Sequence, residues 1–352
     1  NLRTGHCSLV KTAERIFAQL NSSERTMDEL EMFGLYESGK KVTDKPEILF
    51  ARLDAKEVQA KVDEMNASRQ APAEEEKKDE YNSVIYKLEF DGGEAHPALT
   101  IDSTISSFDF ITDDTLIGTK GVDKRIENLS VEERKKIEKE LEGYEDIEEC
   151  GFYLNGEGYT NGRRSRLVVI KDGKCQRVFD DDFSIQNYSI SPDKSKILAV
   201  GETRKSPKEQ FFSEIREVNT SDWSWKTILP LGHISVYSAF HLSDKIVAIG
   251  NTMDKYGLNQ NPDFFVVENE TIKLLASWGE SIGNSVGTDV RFGGGESIVR
   301  DGDYIYFSTT LDHSSYIYRI DANGTIESII GDEGSVDCFS VHNGKLMFIG
   351  LR

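Results

Sequence analysis

A short apolar run that ends in an Asp, Asn or Gly turn recurs along this 352-residue chain. Residues 83–90 read S-V-I-Y-K-L-E-F before Asp91, Gly92 and Gly93. Apolar side chains fall there on alternate positions, the period of a half-buried strand, and Asp-Gly is a hairpin signal. The phrase returns at 165–170 as S-R-L-V-V-I before Lys171, Asp172 and Gly173, at 263–268 as D-F-F-V-V-E before Asn269, and at 316–320 as Y-I-Y-R-I before Asp321. A weaker copy, S-E-I-R-E-V, occupies 213–218 before Asn219. From Val168 to Ile215 is 47 residues, from Ile215 to Val266 is 51, and from Val266 to Tyr318 is 52. Between these copies falls a second phrase, a turn followed by an apolar strand, at 189–200, 243–249, 301–307 and 343–349. A self-similar unit of roughly 40 to 50 residues holding four short strands is the signature of a propeller blade. One blade cannot bury both of its faces alone, so neighbours must stack around an axis. The expected fold is therefore all-β, a β-propeller of about seven blades with the last one incomplete.

Two segments break the rhythm. Residues 55–79 pass from a helix-compatible stretch into the charge run at 73–79, A-E-E-E-K-K-D, which reads as a solvated loop. Residues 129–149 read as a helix, because Ser130 stands three residues before Glu133 as in a capping box, and Ile137 and Leu141 give a thin apolar stripe. Both are expected to be insertions projecting from a single propeller domain that runs from 1 to 352. The first residue is Asn1, and the chain stops at Arg352 directly after a strand that the repeat makes the first half of a blade. Both ends are read as cut from something longer.

Charge excludes several functions. Acidic residues number 62 against 42 basic ones, a net charge of −20. A nonspecific nucleic-acid binder needs a basic surface, and an anionic membrane would repel this chain. The four cysteines, Cys7, Cys150, Cys175 and Cys338, form no C-x-x-C pair, which fits reduced thiols and a cytoplasmic location. No apolar run approaches the ~18 residues of a spanning helix. The six histidines are scattered, so neither a metal site nor a cofactor is expected.

Residues 279–283 spell G-E-S-I-G, the G-x-S-x-G of a nucleophile elbow around Ser281. An elbow needs a helix directly after the serine, and N-S-V-G-T-D at 284–289 is turn-like instead. The stretch reads as a strand end leading into a loop between blades, and no catalytic residue is assigned. Asp289 and Arg291 flank Val290 and share one face of an expected strand. They read as a structural ion pair or as a substrate contact, Arg291 meeting a carboxylate or carbonyl.

Three stretches resemble one family. Residues 151–169, G-F-Y-L-N-G-E-G-Y-T-N-G-R-R-S-R-L-V-V, and residues 281–295, S-I-G-N-S-V-G-T-D-V-R-F-G-G-G, are similar to propeller segments of acylaminoacyl-peptidase-like enzymes in the prolyl oligopeptidase clan of serine peptidases. S-V-D-C-F-S-V at 335–341 resembles the start of that family's last blade. The resemblance implies an N-terminal propeller that caps a C-terminal α/β-hydrolase domain carrying the Ser-Asp-His triad. The propeller would admit short peptides and keep folded proteins out. By this reading the hydrolase domain is the chain's partner and lies outside its sequence, a homo-oligomer is compatible, and this chain alone is inactive. In the dipeptidyl peptidase branch, two glutamates of a propeller insertion hold the substrate's free amino terminus. Glu148 and Glu149 offer that chemistry, or simply a solvated acidic face. The alternative is a free-standing propeller that binds a protein or peptide without catalysis.

Overall fold

The computed structural model describes residues 36–37, 40–41, 83–89, 93–144, 147–149, 153–154, 158–159, 161–204, 207, 211–287 and 295–351. By its contacts the chain divides into two units, Asn1–Asp79 and Glu80–Arg352. In the first unit the described residues form one small ladder, β1 (Tyr36–Glu37) with β2 (Lys40–Lys41). The insertion expected at 55–79 lies outside the described residues, and so does most of what would make 1–352 a single domain.

The second unit is a run of antiparallel strands. A hairpin comes first, β3 (Ser83–Lys87) with β4 (His96–Ile101). Blade I follows with β5 (Ser107–Phe110) and β6 (Thr115–Asp123). The chain then leaves the sheet through helix α1 (Val131–Glu140) and a short ladder of β7 (Tyr153–Leu154) with β8 (Gly158–Tyr159). It returns as β9 (Arg163–Lys171) and β10 (Lys174–Arg177), completing the order β5-β6-β9-β10. Blade II holds β11 (Phe183–Ile190), β12 (Lys196–Thr203), β13 (Ser213–Asn219) and the first part of β14 (Trp225–Leu242). The later part of β14 opens blade III, where it pairs with β15 (Lys245–Asn251), followed by β16 (Asp263–Glu268) and β17 (Thr271–Ala276). Blade IV is β18 (Ile298–Asp301), β19 (Tyr304–Leu311), β20 (Ser314–Asp321) and β21 (Ile326–Ile330). A half-blade, β22 (Cys338–His342) with β23 (Lys345–Ile349), ends the described chain.

The repeated phrases fall where the expectation places them. The alternating runs at β9, β13, β16 and β20 are third strands, the run at β3 is the first arm of the β3–β4 hairpin, and the turn-plus-strand phrases lead into the second strands β12, β15, β19 and β23. The Asp172-Gly173 turn has both residues at positive φ, 50° and 75°, as a two-residue hairpin turn requires. The expected helix at 129–149 is real but shorter. Ser130 Oγ accepts from the Glu133 amide and the Glu133 carboxylate accepts from the Ser130 amide, so the box is closed. The helix stops at Glu140, and Gly143 follows at φ 91°.

Apolar residues on successive positions of one strand serve different interfaces. Ile197 and Ala199 of β12 pack with Ile117, Leu167 and Val169 of blade I. Leu198 and Val200 pack instead with Val236, Ala248 and Phe265 of blade III. Val247, Ile249 and Phe264 meet Ile305, Phe307 and Ile320 of blade IV, and Tyr306 and Ile317 meet Val336, Phe339 and Val341. Inner strands are therefore buried on both faces, which is why the second strands read as unbroken apolar runs.

Two backbone devices repeat with the blades. A serine at the start of the third strand accepts the amide that opens the next blade: Ser83 from Ile105, Ser213 from Val236, and Ser315 from Val336. In blade III Asp263 takes this place and accepts from the Trp278 amide at 2.8 Å. The second strand carries a glycine whose missing side chain admits the carbonyl of a serine near the start of the blade. The pairs are Gly118 with Ser107, Gly201 with Ser184, Gly250 with Ser235, and Gly350 with Ser335. A Cβ at any of them overlaps that carbonyl oxygen. Gly250→Ala is expected to destabilise the fold by about 1–3 kcal/mol, the usual cost of overpacking. Gly121→Ala, where a Cβ meets nothing, serves as the near-neutral control. Thermal melting of the two variants followed by circular dichroism checks this.

Candidate functional site

Each strand reverses the chain, so connections alternate between the two ends of the blades. At one end the connections within blades I to IV and the half-blade are tight: 111–114, 172–173, 191–195, 220–224, 243–244, 269–270, 302–303, 322–325 and 343–344. From blade I onward the long ones share the other end: 124–162, 204–212, 252–262, 277–297 and 331–337. Long loops on a rigid scaffold are where binding groups concentrate. Exposed Tyr144, Ile147, Phe211, Tyr256 and Leu258 all sit on loops of this end.

The loop end also holds a buried ion network that joins the 124–162 insertion to blades I and II. Its hub is Glu149, 7 % exposed. Arg164 forks onto both of its oxygens at 2.7 and 3.0 Å, Lys124 binds Oε1, and Arg204 reaches Oε2 at 3.4 Å. The Gly162 amide donates to the same carboxylate, and the Glu149 amide donates to Asn161 Oδ1. From Arg164 the network runs to Asp182 at 2.8 Å, from Asp182 to Arg166 at 3.2 Å, and from Arg166 to Glu127 at 3.0 Å. Arg177 bonds Glu127 and the Asp181 carbonyl, and Asp181 forks with Arg216 at 2.7 and 2.9 Å. Arg216 also stands 4.2 Å from the ring centroids of Phe183 and Trp225.

These contacts set the protonation states. Hydrogen bonds from Arg164 hold the Glu149 carboxyl far below the usual carboxylate range, although burial works against this. Hydrogen bonds from Arg216 hold Asp181 down likewise. For Asp182 burial opposes the charged form, and Arg164 and Arg166 outweigh it.

The structure separates the two adjacent glutamates. Glu148 is exposed, whereas Glu149 is sequestered among three cationic side chains. Asp289 and Arg291 lie outside the described residues. Ser281 lies in the 277–297 connection, its carbonyl accepts from Thr309 Oγ1 at 2.6 Å, and no helix follows it among the described residues. His241 pairs with Glu217 at 3.2 Å, and burial pushes its imidazole below the ordinary value. Among the described residues no group of three or more metal-binding side chains converges, and no helix is long and apolar enough to cross a membrane.

A second feature lies on the inner strands. A cavity of about 290 Å³ opens between blades II, III and IV, lined among others by Asn187, Ser189, Ser238, Phe240, Glu296 and Ile298. Asn187 Nδ2 donates to Ser238 Oγ at 2.9 Å and to the Tyr237 carbonyl at 3.1 Å, and Ser189 Oγ donates to the Ala239 carbonyl. The cavity wall is thus built by side chains that bond one inner strand to the next. No sequence motif marks it, because its residues come from three different blades, far apart in the chain.

No family model and no curated protein matches the chain. Solved structures do. Acylaminoacyl peptidase in complex with Z-Gly-Gly-Phe-chloromethyl ketone is 14% identical, with a TM-score of 0.51 over 76% of this chain and 38% of that one. The fold is that of a β-propeller domain. Pyrococcus horikoshii acylaminoacyl peptidase is 13% identical, with a TM-score of 0.47 over 73% of this chain and 36% of that chain. The β-propeller domain of the Trilobed protease from Pyrococcus furiosus is 11% identical, with a TM-score of 0.46 over 78% of this chain and 71% of that chain. The propeller spans just over a third of the two acylaminoacyl peptidases' length, 38% and 36%.

Because Glu149, Asp181 and Asp182 are held below their unfolded values of about 4, their stabilisation is complete above about pH 5 and is lost as pH falls through 4 and below. Glu149→Gln removes the carboxylate that Lys124 meets and one of the two that Arg164 and Arg204 each meet, and is expected to cost about 3 kcal/mol at neutral pH. It should also flatten the acid limb of the stability profile. Urea midpoints of the native protein and the variant between pH 7 and pH 3 check both.

Proposed function

We propose that this propeller is the substrate-gating, non-catalytic part of a serine-peptidase-type protein that acts on short peptides. The observation that carries the reading is the polar cavity between the inner strands, which suits a short extended chain and excludes a folded one. The fold likeness to acylaminoacyl peptidase supports the class of protein. In this reading a partner α/β-hydrolase domain of the same protein supplies the nucleophile and the oxyanion hole. Exposed Tyr144, Ile147, Phe211, Tyr256 and Leu258 give the loop end the apolar contacts that a docked protein domain needs.

Substrate type follows from Glu149. A clamp for a free amino terminus needs carboxylates with open acceptor positions, and Glu149 spends both oxygens on Arg164, Lys124 and Arg204. This favours peptides with a blocked amino end, the acylaminoacyl type, over the dipeptidyl type.

Two experiments test the proposal. The isolated chain should not react with a fluorophosphonate serine probe, and labelling that disappears in Ser281→Ala would make G-E-S-I-G a working elbow. In the full-length protein, Ala239→Trp at the cavity wall should lower kcat/KM for acyl-tripeptides about tenfold or more, while the small fluorophosphonate still labels at the native rate. Unchanged peptide turnover in that variant rules out gating through the cavity.

A further inference from the structure

The first strands β5, β18 and β22 pair with their second strands without a shift. Those of blades II and III do not. In β11 the register slips between Ile185 and Asn187, and in the later part of β14 it slips between Val236 and Ser238. Each slip leaves one residue, Gln186 or Tyr237, with no partner across the ladder. A β-bulge re-aims the side chains beside it, and bulges collect next to functional sites. Here the residue directly after each bulge, Asn187 in one blade and Ser238 in the next, lines the cavity.

These two side chains are bonded to each other in a fixed orientation. A backbone carbonyl can only accept, so the bond to the Tyr237 carbonyl turns the Asn187 amide nitrogen toward β14. Both hydrogens of that nitrogen are then used, one on Tyr237 and one on Ser238 Oγ. Among the described residues nothing donates to Asn187 Oδ1. Ser238 is 7 % exposed, its oxygen accepts from Asn187, and among the described residues its own proton has no acceptor. A buried hydroxyl proton without an acceptor is costly, and a ligand can supply one.

The backbone around the pair is closed to other modes of recognition. Ser189 Oγ bonds the Ala239 carbonyl at 2.5 Å, so the Tyr237 and Ala239 carbonyls of β14 are both occupied from β11. A guest strand cannot add to β14 through them. The cavity offers instead one open acceptor and one open donor, on groups that stand 2.9 Å apart. Those are the two groups by which one strand residue meets another in an antiparallel ladder, where each residue gives an N–H and receives one. Val200, Ala239, Phe240 and Ile298 add apolar wall. At about 290 Å³ the space admits only a short segment.

Resting on the peptide-gating reading above, we propose that Asn187 and Ser238 hold the backbone of a single residue of an extended peptide. Asn187 Oδ1 accepts from that residue's N–H, and Ser238 Oγ donates to its C=O. Reading backbone and not side chain lets the cavity take peptides of differing sequence and still fix their register.

The test is calorimetric titration of the purified 352-residue chain with acetyl-Ala-Ala-Ala-amide and with three analogues. In each analogue one alanine is replaced by lactate, so that an ester oxygen stands where one N–H was. One analogue should bind about tenfold more weakly than the parent peptide, the cost of leaving the Asn187 acceptor against an oxygen, and the other two should bind within about twofold of it. Asn187→Ala should erase that difference. Ser238→Ala should weaken all four ligands by a similar factor. A thermal melt shows whether each variant is folded, and the ranking of the four ligands by the native chain carries the test if one is not. Equal binding of all four by the native chain, or a difference that survives in folded Asn187→Ala, overturns the assignment and leaves peptide gating standing. If no ligand binds, both the assignment and the peptide reading of the cavity fall.

Discussion

Everything in this molecule depends on strands that are buried on both faces. A four-stranded antiparallel sheet normally needs one apolar face. Here Ile197 and Leu198, adjacent in β12, belong to two different interfaces, one with blade I and one with blade III. No blade is complete without both neighbours. The close approach of Gly201 to the Ser184 carbonyl, and of Gly250 to that of Ser235, follows from the same constraint, because packing on both faces leaves no room to displace either strand. The serine clasps at Ser213 and Ser315 satisfy the amides that must turn inward between blades, where no water can reach them.

The ion network at the loop end answers a different problem. Helix α1 of the 124–162 insertion has little apolar surface to bury, since it carries a single apolar stripe and is otherwise charged. Hydrophobic burial cannot hold such a segment in place. Glu149 does it instead, by accepting from Lys124 within the insertion, Arg164 on β9 and Arg204 beyond β12. Buried ion pairs contribute little net stability compared with apolar replacements, and breaking one costs several times more than a surface pair. Their value is directional. A carboxylate that accepts from three elements fixes where those elements sit.

Periodicity made the blades legible, and it did so for a physical reason. Third strands such as 165–170 and 263–268 end in two-residue turns, and two-residue turns demand particular residues, so Asp172-Gly173 and Asn269 stand out in the sequence. The glycine of each second strand was equally visible, in I-G-T-K, V-G-E-T and I-G-N-T at 117–120, 200–203 and 249–252, but its meaning depends on a carbonyl many residues away. Glu149 was not legible as a buried group. Its position in E-E beside many other acidic residues reads as solvated, and the partners that bury it lie 25, 15 and 55 residues distant.

The charge of −20 looks at first like a signal for a basic partner, yet much of the acid surplus has structural work inside the fold. At the tight-turn end carboxylates are held by hydroxyls and amides. Asp114 accepts from Thr112 and Thr115, and Asp193 from Ser191 and Ser195, bringing each carboxyl down to about 2. Asp222 accepts from Ser224 in the same way. These are turn locks, in which a short acceptor side chain fixes its own loop. At the loop end the carboxylates are matched by arginines in the network around Glu149. These carboxylates of the blades are committed to local contacts, with hydroxyls and amides at one end and with arginines at the other.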